Sequence, residues 1–206
     1  MTKELIIPTD KFIKGFSDVY GDAAVLAPWT ITKSLSDIIL NIIPTLDNDY
    51  VVRDNVAIHQ SATIETGAII KGPVIISENC FIGAHAYLRG GVYLGQKVRI
   101  GPGCEIKTSI IFHHSTIAHL NFIGNSIIGS HVNFEAGAMI ANHYNERKEK
   151  KIFALYDAKK IDTGVEKFGA LVGDFVKVGA NAVLSPGTIL EQHTIVKRLE
   201  LIEQIG

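Results

Sequence analysis

Residues 58–106 read "IHQSATIETGAIIKGPVIISENCFIGAHAYLRGGVYLGQKVRIGPGCEI". Every sixth position is aliphatic: Ile58, Ile64, Ile70, Ile76, Ile82, Leu88, Leu94, Ile100 and Ile106. Four places after each comes a second set, nearly all small or β-branched: Ala62, Ala68, Val74, Cys80, Ala86, Val92, Val98, Cys104 and Ile110. A helix repeats near 3.6 residues and a half-buried strand near 2, so a beat of six fits neither. It fits short strands joined by tight turns, with the aliphatic residue pointing inward on each flat face and the small residue near each corner. One such turn cannot bury its apolar face alone, so neighbouring turns must stack into a solenoid.

Working downstream, the beat slips by one residue to Ile111, Ile117 and Ile123. It slips again to Ile128, Phe134 and Ile140, and returns after a break as Val172, Val178, Leu184, Leu190 and Val196. Glycine follows several beats, as at Gly83, Gly95, Gly101 and Gly179, and supplies the backbone freedom of tight turns. The expected fold class is all-β, a hexapeptide-repeat parallel β-helix over residues 50–197, followed by a C-terminal tail at 198–206. The break, "ANHYNERKEKKIFALYDAKKIDTGVEK" at about 141–168, is rich in lysine and lies outside the beat. Insertions in repeat proteins become loops on one face, often the binding face. This one reads either as a solvated excursion or as a basic loop suited to an anionic ligand.

Upstream, residues 1–49 follow helical spacing in "TDKFIKGFSDVY" and "PWTITKSLSDIILNIIPTL". Thr9 or Asp10 is placed to cap the first helix, Pro28 suits a first turn, and Pro44 ends the second. The segment reads as a small helical N-terminal cap, anchored by Trp29, over the open end of the solenoid.

Bulk properties narrow the function classes. The 206 residues are 47% hydrophobic and 20% charged, which indicates a folded chain. A net charge of -1 argues against a broad nucleic-acid surface. Cys80 and Cys104 are too few for a disulfide framework and read as packed thiols in a reducing compartment. No apolar run approaches the ~20 residues that span a bilayer, and the start lacks a signal peptide's features. The expectation is a cytoplasmic protein with neither nucleic-acid nor membrane partners.

From Cys80 onward the motifs become specific: "YLRGG", "CEIKTS", "AHLNFIGNSIIG", "HVNFEAG" and "DTGVEKFGALVGDFVKVGANAVLSPGTIL". The chain resembles the hexapeptide-repeat left-handed β-helix acyltransferases. Within them it is similar to the C-terminal acetyltransferase domain of bifunctional N-acetylglucosamine-1-phosphate uridylyltransferase and of archaeal-type sugar-1-phosphate nucleotidyltransferases. "PWTITKSLSDII" resembles the linker helix of the archaeal group. The left hand, and a homotrimer with its active site in the cleft between copies, are what the resemblance implies.

It also implies roles. His119 falls on the catalytic histidine of the family's "GHLxYLGD", and a histidine titrating near ~6.5 suits a general base. Arg89 and Lys107 match cations that hold the sugar phosphate; fixed charge and directed donors are what a phosphate needs. Phe122 stands where the motif has a tyrosine. Asn133 and Asn142 fall on substrate-binding asparagines, and Ala170, Gly187 and Thr188 lie where small residues would line the coenzyme's pantetheine arm. The implied reaction is acetyl-CoA-dependent N-acetylation of an amino sugar 1-phosphate such as glucosamine-1-phosphate, with no metal.

The departures are Phe122 for tyrosine, Asn125 for aspartate, and "ANHYNERK" for the family's "CNYDG" stretch. The nucleotide-binding "LAAGxGTRM" signature appears nowhere, so nucleotidyl transfer is not expected of this chain. Two other readings remain open. One is a non-catalytic trimerising or regulatory subunit. The other is a γ-carbonic-anhydrase-like zinc enzyme using His114 and His119, against which Arg89-Gly90-Gly91 lacks the aspartate of that family's triplet. His113 and His114 otherwise read as edge or solvent residues.

Overall fold

The computed structural model describes residues 7–205; residues 1–6 of the expected cap and Gly206 of the expected tail lie outside the described residues. The chain winds as a left-handed parallel β-helix with three strands per turn. Three beats bring it back over itself: Ile58, Ile76, Leu94, Ile111, Ile128, Val172 and Leu190 are successive partners down one face. Their side chains, with Cys80, Ala86, Val98, Cys104 and Ala138 near the corners, fill the interior.

The three faces differ on the outside. On the first, which we call the flank, the outward residues are Ala57, Ile75, Tyr93, Ile110, Ile127, Leu171 and Ile189, all buried. The second face carries Thr63, Phe81, Arg99, Thr116, Asn133, Lys177 and Ile195. The third carries Ile69, Tyr87, Glu105, Phe122, Met139, Val183 and Leu201. Both sets are exposed or half-exposed.

That asymmetry corrects the placement of the helical segment. Helices α1 (Thr9–Phe12), α2 (Phe16–Tyr20), α3 (Pro28–Lys33) and α4 (Leu35–Ile42) lie along the flank, not over the open end. Phe12, Phe16, Tyr20, Trp29, Ile31, Leu35 and Ile39 pack against the flank's outward side chains. The flank's row of seven apolar residues is continuous, and buried apolar area, at about 25 cal/mol per Å², favours an amphipathic segment settling there. The segment runs opposite to the growth of the solenoid: Phe12 O accepts from Asp174 N at 2.9 Å beside the late turns, whereas α4 meets the Tyr87–Leu94 strand. At the first turn, Tyr50–Arg53 pairs antiparallel with Val56–His59, and Ile58, Ile64 and Ile70 stay partly exposed.

Two expected helices became four short ones. Gly15, at φ 76°, separates α1 from α2, and Ser34 separates α3 from α4. Thr9 is no cap, for its hydroxyl is buried without a partner among the described residues. Asp10 instead accepts from Ser17 N and Oγ, both at 3.1 Å, and so ties α1 to α2. Pro28 opens α3, and Pro44 lies in a 3-10 turn after α4.

The excursion is also more than a solvated loop. Phe153–Tyr156 and Lys159–Asp162 form a hairpin, turned by Asp157 and Ala158 at positive φ. Tyr144, Ile152, Ala154 and Phe168 join the flank cluster. Trp29 meets Phe168 edge-on, with ring centroids 5.8 Å apart. The expected tail continues the prism, because Leu201–Ile202 pairs with Val183–Leu184. Beyond it, the Gln204 side chain accepts from Ile189 N and donates to Ile189 O, both at 2.8 Å.

The slips in the beat have one cause. Arg89 pairs with Lys107 and Val92 with Ser109, so Gly90 and Gly91 in one turn face Thr108 alone in the next. Ser109, not Ile110, therefore takes the inner corner position, and Ile110 turns outward into the flank. The second slip falls at Asn125 on the same corner, and the excursion leaves from Asn142 on that corner too. Among the described residues no helix is long and apolar enough to cross a membrane.

Candidate active site

The corner where the beat slips, between the third face and the flank, gathers most of the expected substrate residues. Arg89 and Lys107 stand on adjacent rungs, with Gly124 next in register. The Arg89 guanidinium lies over the Tyr87 ring and donates to Glu105 Oε1 through Nε at 2.8 Å and through Nη2. Lys107 makes no ion pair among the described residues. Burial first, then Lys167 and Arg89, hold its ammonium below the ordinary lysine range, against the opposing pull of Glu105. Asn142, buried, donates its side-chain amide to Asn125 Oδ1 at 2.7 Å. A Cβ on Gly124 would strike both the Phe122 ring and the Asn142 amide. Arg89, Lys107, Phe122 and Asn142 thus form one ledge.

His119 stands at the other edge of the third face, two residues past Ile117. It is exposed, and its ring makes no hydrogen bond among the described residues. Its backbone is held firmly: the carbonyl accepts from Asn121 Nδ2 at 3.1 Å and from Gly137 N at 3.0 Å. The rung above must carry glycine, since a Cβ on Gly101 would land on the Ala118 carbonyl. A groove of about 210 Å³ runs here, lined by Phe81, Arg99, Thr116 and His119. Asn133 is exposed on the second face, one rung below Thr116, in a groove with Lys177 and Arg198. One prism therefore sorts the predicted residues onto two edges of a face and does not bring His119 and Asn133 together with the ledge.

Ala170, Gly187 and Thr188 are buried. Ala170 N donates to Ser126 Oγ at 3.1 Å, and Thr188 Oγ1 donates to the Ser185 carbonyl at 2.6 Å. Gly187 sits against the Phe153 carbonyl of the excursion hairpin. Ala170 and Thr188 point into the prism and Gly187 lies against the hairpin, so these three positions present no open surface to a coenzyme arm.

Sequence reasoning missed Lys33, Lys167 and the role of Asn125. With Thr32, Thr108 and Glu166 they surround a pocket of about 380 Å³ beside the ledge. Slips at Thr108 and Asn125 were the available signal. His113 Nδ1 accepts from Gln96 N at 3.0 Å. His114 begins an exposed stack with His131, Phe175 and His193, centroids 4.8–5.0 Å apart. That stack stands on the corner between flank and second face, away from His119, and no group of three or more His, Cys, Asp or Glu suited to a metal occurs among the described residues. Cys80 and Cys104 are buried and donate to the carbonyls of Gly95 and Ala118.

The family model described as the GMPPB C-terminal domain matches residues 71–205. The chain belongs to this family. Relatives of this GMPPB C-terminal-domain chain include the bifunctional protein GlmU of Methanococcus maripaludis, 35% identical over 86% of this chain and 43% of that protein. The bifunctional sugar-1-phosphate nucleotidylyltransferase/acetyltransferase of Sulfurisphaera tokodaii is 34% identical over 69% of this chain and 35% of that one. The chain spans less than half the length of these relatives. Among solved structures, the acetyltransferase domain of PglB from Neisseria gonorrhoeae in complex with acetyl coenzyme A aligns over 86% of this chain and 73% of that one, at 15% identity and a TM-score of 0.46.

Proposed function

We propose that this chain transfers an acetyl group from acetyl-CoA to the amine of an amino sugar 1-phosphate, glucosamine-1-phosphate being the first candidate. One observation carries the reading: His119 presents an uncommitted imidazole at an open edge of the prism. In the reaction the sugar nitrogen attacks the thioester carbonyl and His119 takes the proton that the nitrogen sheds. The coenzyme thiolate leaves and is protonated. Arg89 and Lys107 receive the phosphate, Asn142 and Asn133 orient the sugar, and Phe122 gives the ring an apolar floor. Because His119 and the ledge lie on opposite edges of the third face, a complete site needs the edge of a neighbouring copy, as in a homotrimer. The Sulfurisphaera tokodaii relative, named as a nucleotidylyltransferase/acetyltransferase, supports the chemistry.

The test is release of free coenzyme A thiol from acetyl-CoA with a panel of amino sugar phosphates, for the parent and His119→Ala. A second reading, a non-catalytic assembly subunit, is favoured by Phe122 and by the burial of Ala170, Gly187 and Thr188. It requires that no coenzyme A binds and no sugar is acetylated.

A further inference from the structure

We infer that Asn121 is a positioning residue for His119: its buried side chain holds the backbone from which the candidate base projects. This rests on the acetyl-transfer reading and adds to its site a residue that itself meets no substrate.

Asn121 stands at the inner corner between the second and third faces. The residues before the paired positions Tyr87, Glu105, Phe122, Met139 and Val183 form that corner's column: Ala86, Cys104, Asn121, Ala138 and Ala182. All five are buried, and of them only Asn121 carries an amide. Its Nδ2 donates to the His119 carbonyl at 3.1 Å. Its Oδ1 has no partner among the described residues. A buried acceptor without a donor destabilises a fold, and the alanines of the same column fill their places without one. Packing alone therefore does not account for the amide; the bond to His119 does. The His119 ring is exposed and makes no hydrogen bond of its own among the described residues, so it takes its place from its backbone. Three bonds hold that backbone. Asn121 Nδ2 and Gly137 N both donate to the His119 carbonyl, and Leu120 N donates to the Pro102 carbonyl at 3.0 Å. Cys104 Sγ donates to the preceding carbonyl, that of Ala118, at 3.2 Å. Fixing these peptide planes fixes the direction of the His119 Cα–Cβ bond and so the reach of the imidazole. A base must meet its proton within hydrogen-bond distance, and a displacement of ~1 Å can lower a rate about 10²-fold. At the slipped corner, serine makes the equivalent bond. Ser109 and Ser126 donate to the carbonyls two residues back, those of Lys107 and Gly124, each at 2.8 Å. A serine at position 121 would restore a donor to the His119 carbonyl.

Asn121→Ala and Asn121→Ser are compared with the parent, as full chains, in steady-state acetyl transfer and urea unfolding. The His119 Cε1–H resonance, assigned by its absence from His119→Ala, is followed in each. Asn121→Ala should lower kcat about tenfold to a hundredfold, with KM for the sugar phosphate within about twofold of the parent's. Its urea midpoint should stay close to the parent's, because the bond and the orphaned oxygen are lost together. Its His119 resonance should broaden or split as the ring samples more than one placement. Asn121→Ser should return kcat to within about threefold of the parent's and restore a single resonance. Unchanged activity per folded molecule in Asn121→Ala makes Asn121 merely structural and overturns the inference, as does a serine variant no better than the alanine one. The resonance separates the inference from the function. A parent that acetylates no sugar, with a His119 resonance that responds to Asn121→Ala, sinks the enzyme and keeps the positioning. Acetylation lost in His119→Ala but parental in Asn121→Ala, with the resonance unchanged, does the reverse.

Discussion

Asn142 and Asn125, seventeen residues apart and both buried, are joined by a 2.7 Å hydrogen bond across one rung of the solenoid. It fastens the point where the excursion departs to the point where the hexapeptide beat slips. Truncating either asparagine leaves the other buried amide short of a partner, at a cost of about 1–3 kcal/mol. Asn125→Ala and Asn142→Ala, alone and together, should show that cost by urea unfolding, with the double variant losing less than the sum. Strict additivity would mean that the pair contributes nothing as a pair.

His119→Ala should separate activity from stability. The ring is exposed and unbonded, so unfolding should shift by no more than about 0.5 kcal/mol. If His119 is the base, acetyl transfer should drop about 10²- to 10⁴-fold. A variant that acetylates at the parental rate removes this role.

Burial pushes the Cys80 thiol up to about 11 and raises that of Cys104 as well. At pH 8 roughly one Cys80 in a thousand is then thiolate, and the thiolate is the form that reacts. Neither thiol should be labelled by a disulfide reagent at pH 8 until the protein is unfolded. The linkage has a definite sign. An acid raised in the native state ionises first in the unfolded chain, so its contribution to stability is intact below about pH 8.5 and is lost as pH climbs toward 11. Rapid labelling of the folded protein would contradict the packing described.

The flank and the third face should respond differently to the same truncation. Ile75 points outward on the flank and is fully buried beneath the helical segment, whereas Ile69 is 54% exposed on the third face. Ile75→Ala should cost about 2–5 kcal/mol and Ile69→Ala much less. Equal costs in denaturant unfolding would mean that the helices do not cover the flank.

Much of the candidate site was legible and part was not. Arg89, Lys107 and His119 stood out because their flanking motifs resemble those of the acetyltransferase family. Lys33 and Lys167 lie within the quoted motifs but were not singled out; they meet only because α3 and the excursion both fold back onto one corner. Ala170 and Thr188 read as small surface residues, but their strands turn Leu171 and Ile189 outward, so both point into the prism. The mistaken end cap also had a readable counter-signal. The residue before every third beat, from Ala57 through Ile75 and Tyr93 to Leu171 and Ile189, is apolar, whereas its equivalents on the second face include Thr63, Arg99, Thr116, Asn133 and Lys177.

By itself the sequence determined the solenoid, its inward columns and the corner at which its regularity fails, because an aliphatic every sixth residue can be buried in only one way by a chain that turns every six. Tertiary structure alone decided which face the helices cover, which lysines share a pocket, and that His119 and the ledge stand on opposite edges. Those are contacts between segments far apart along the chain. Their partners are chosen by complementary apolar area and charge, and neither quantity is written in the spacing of one segment.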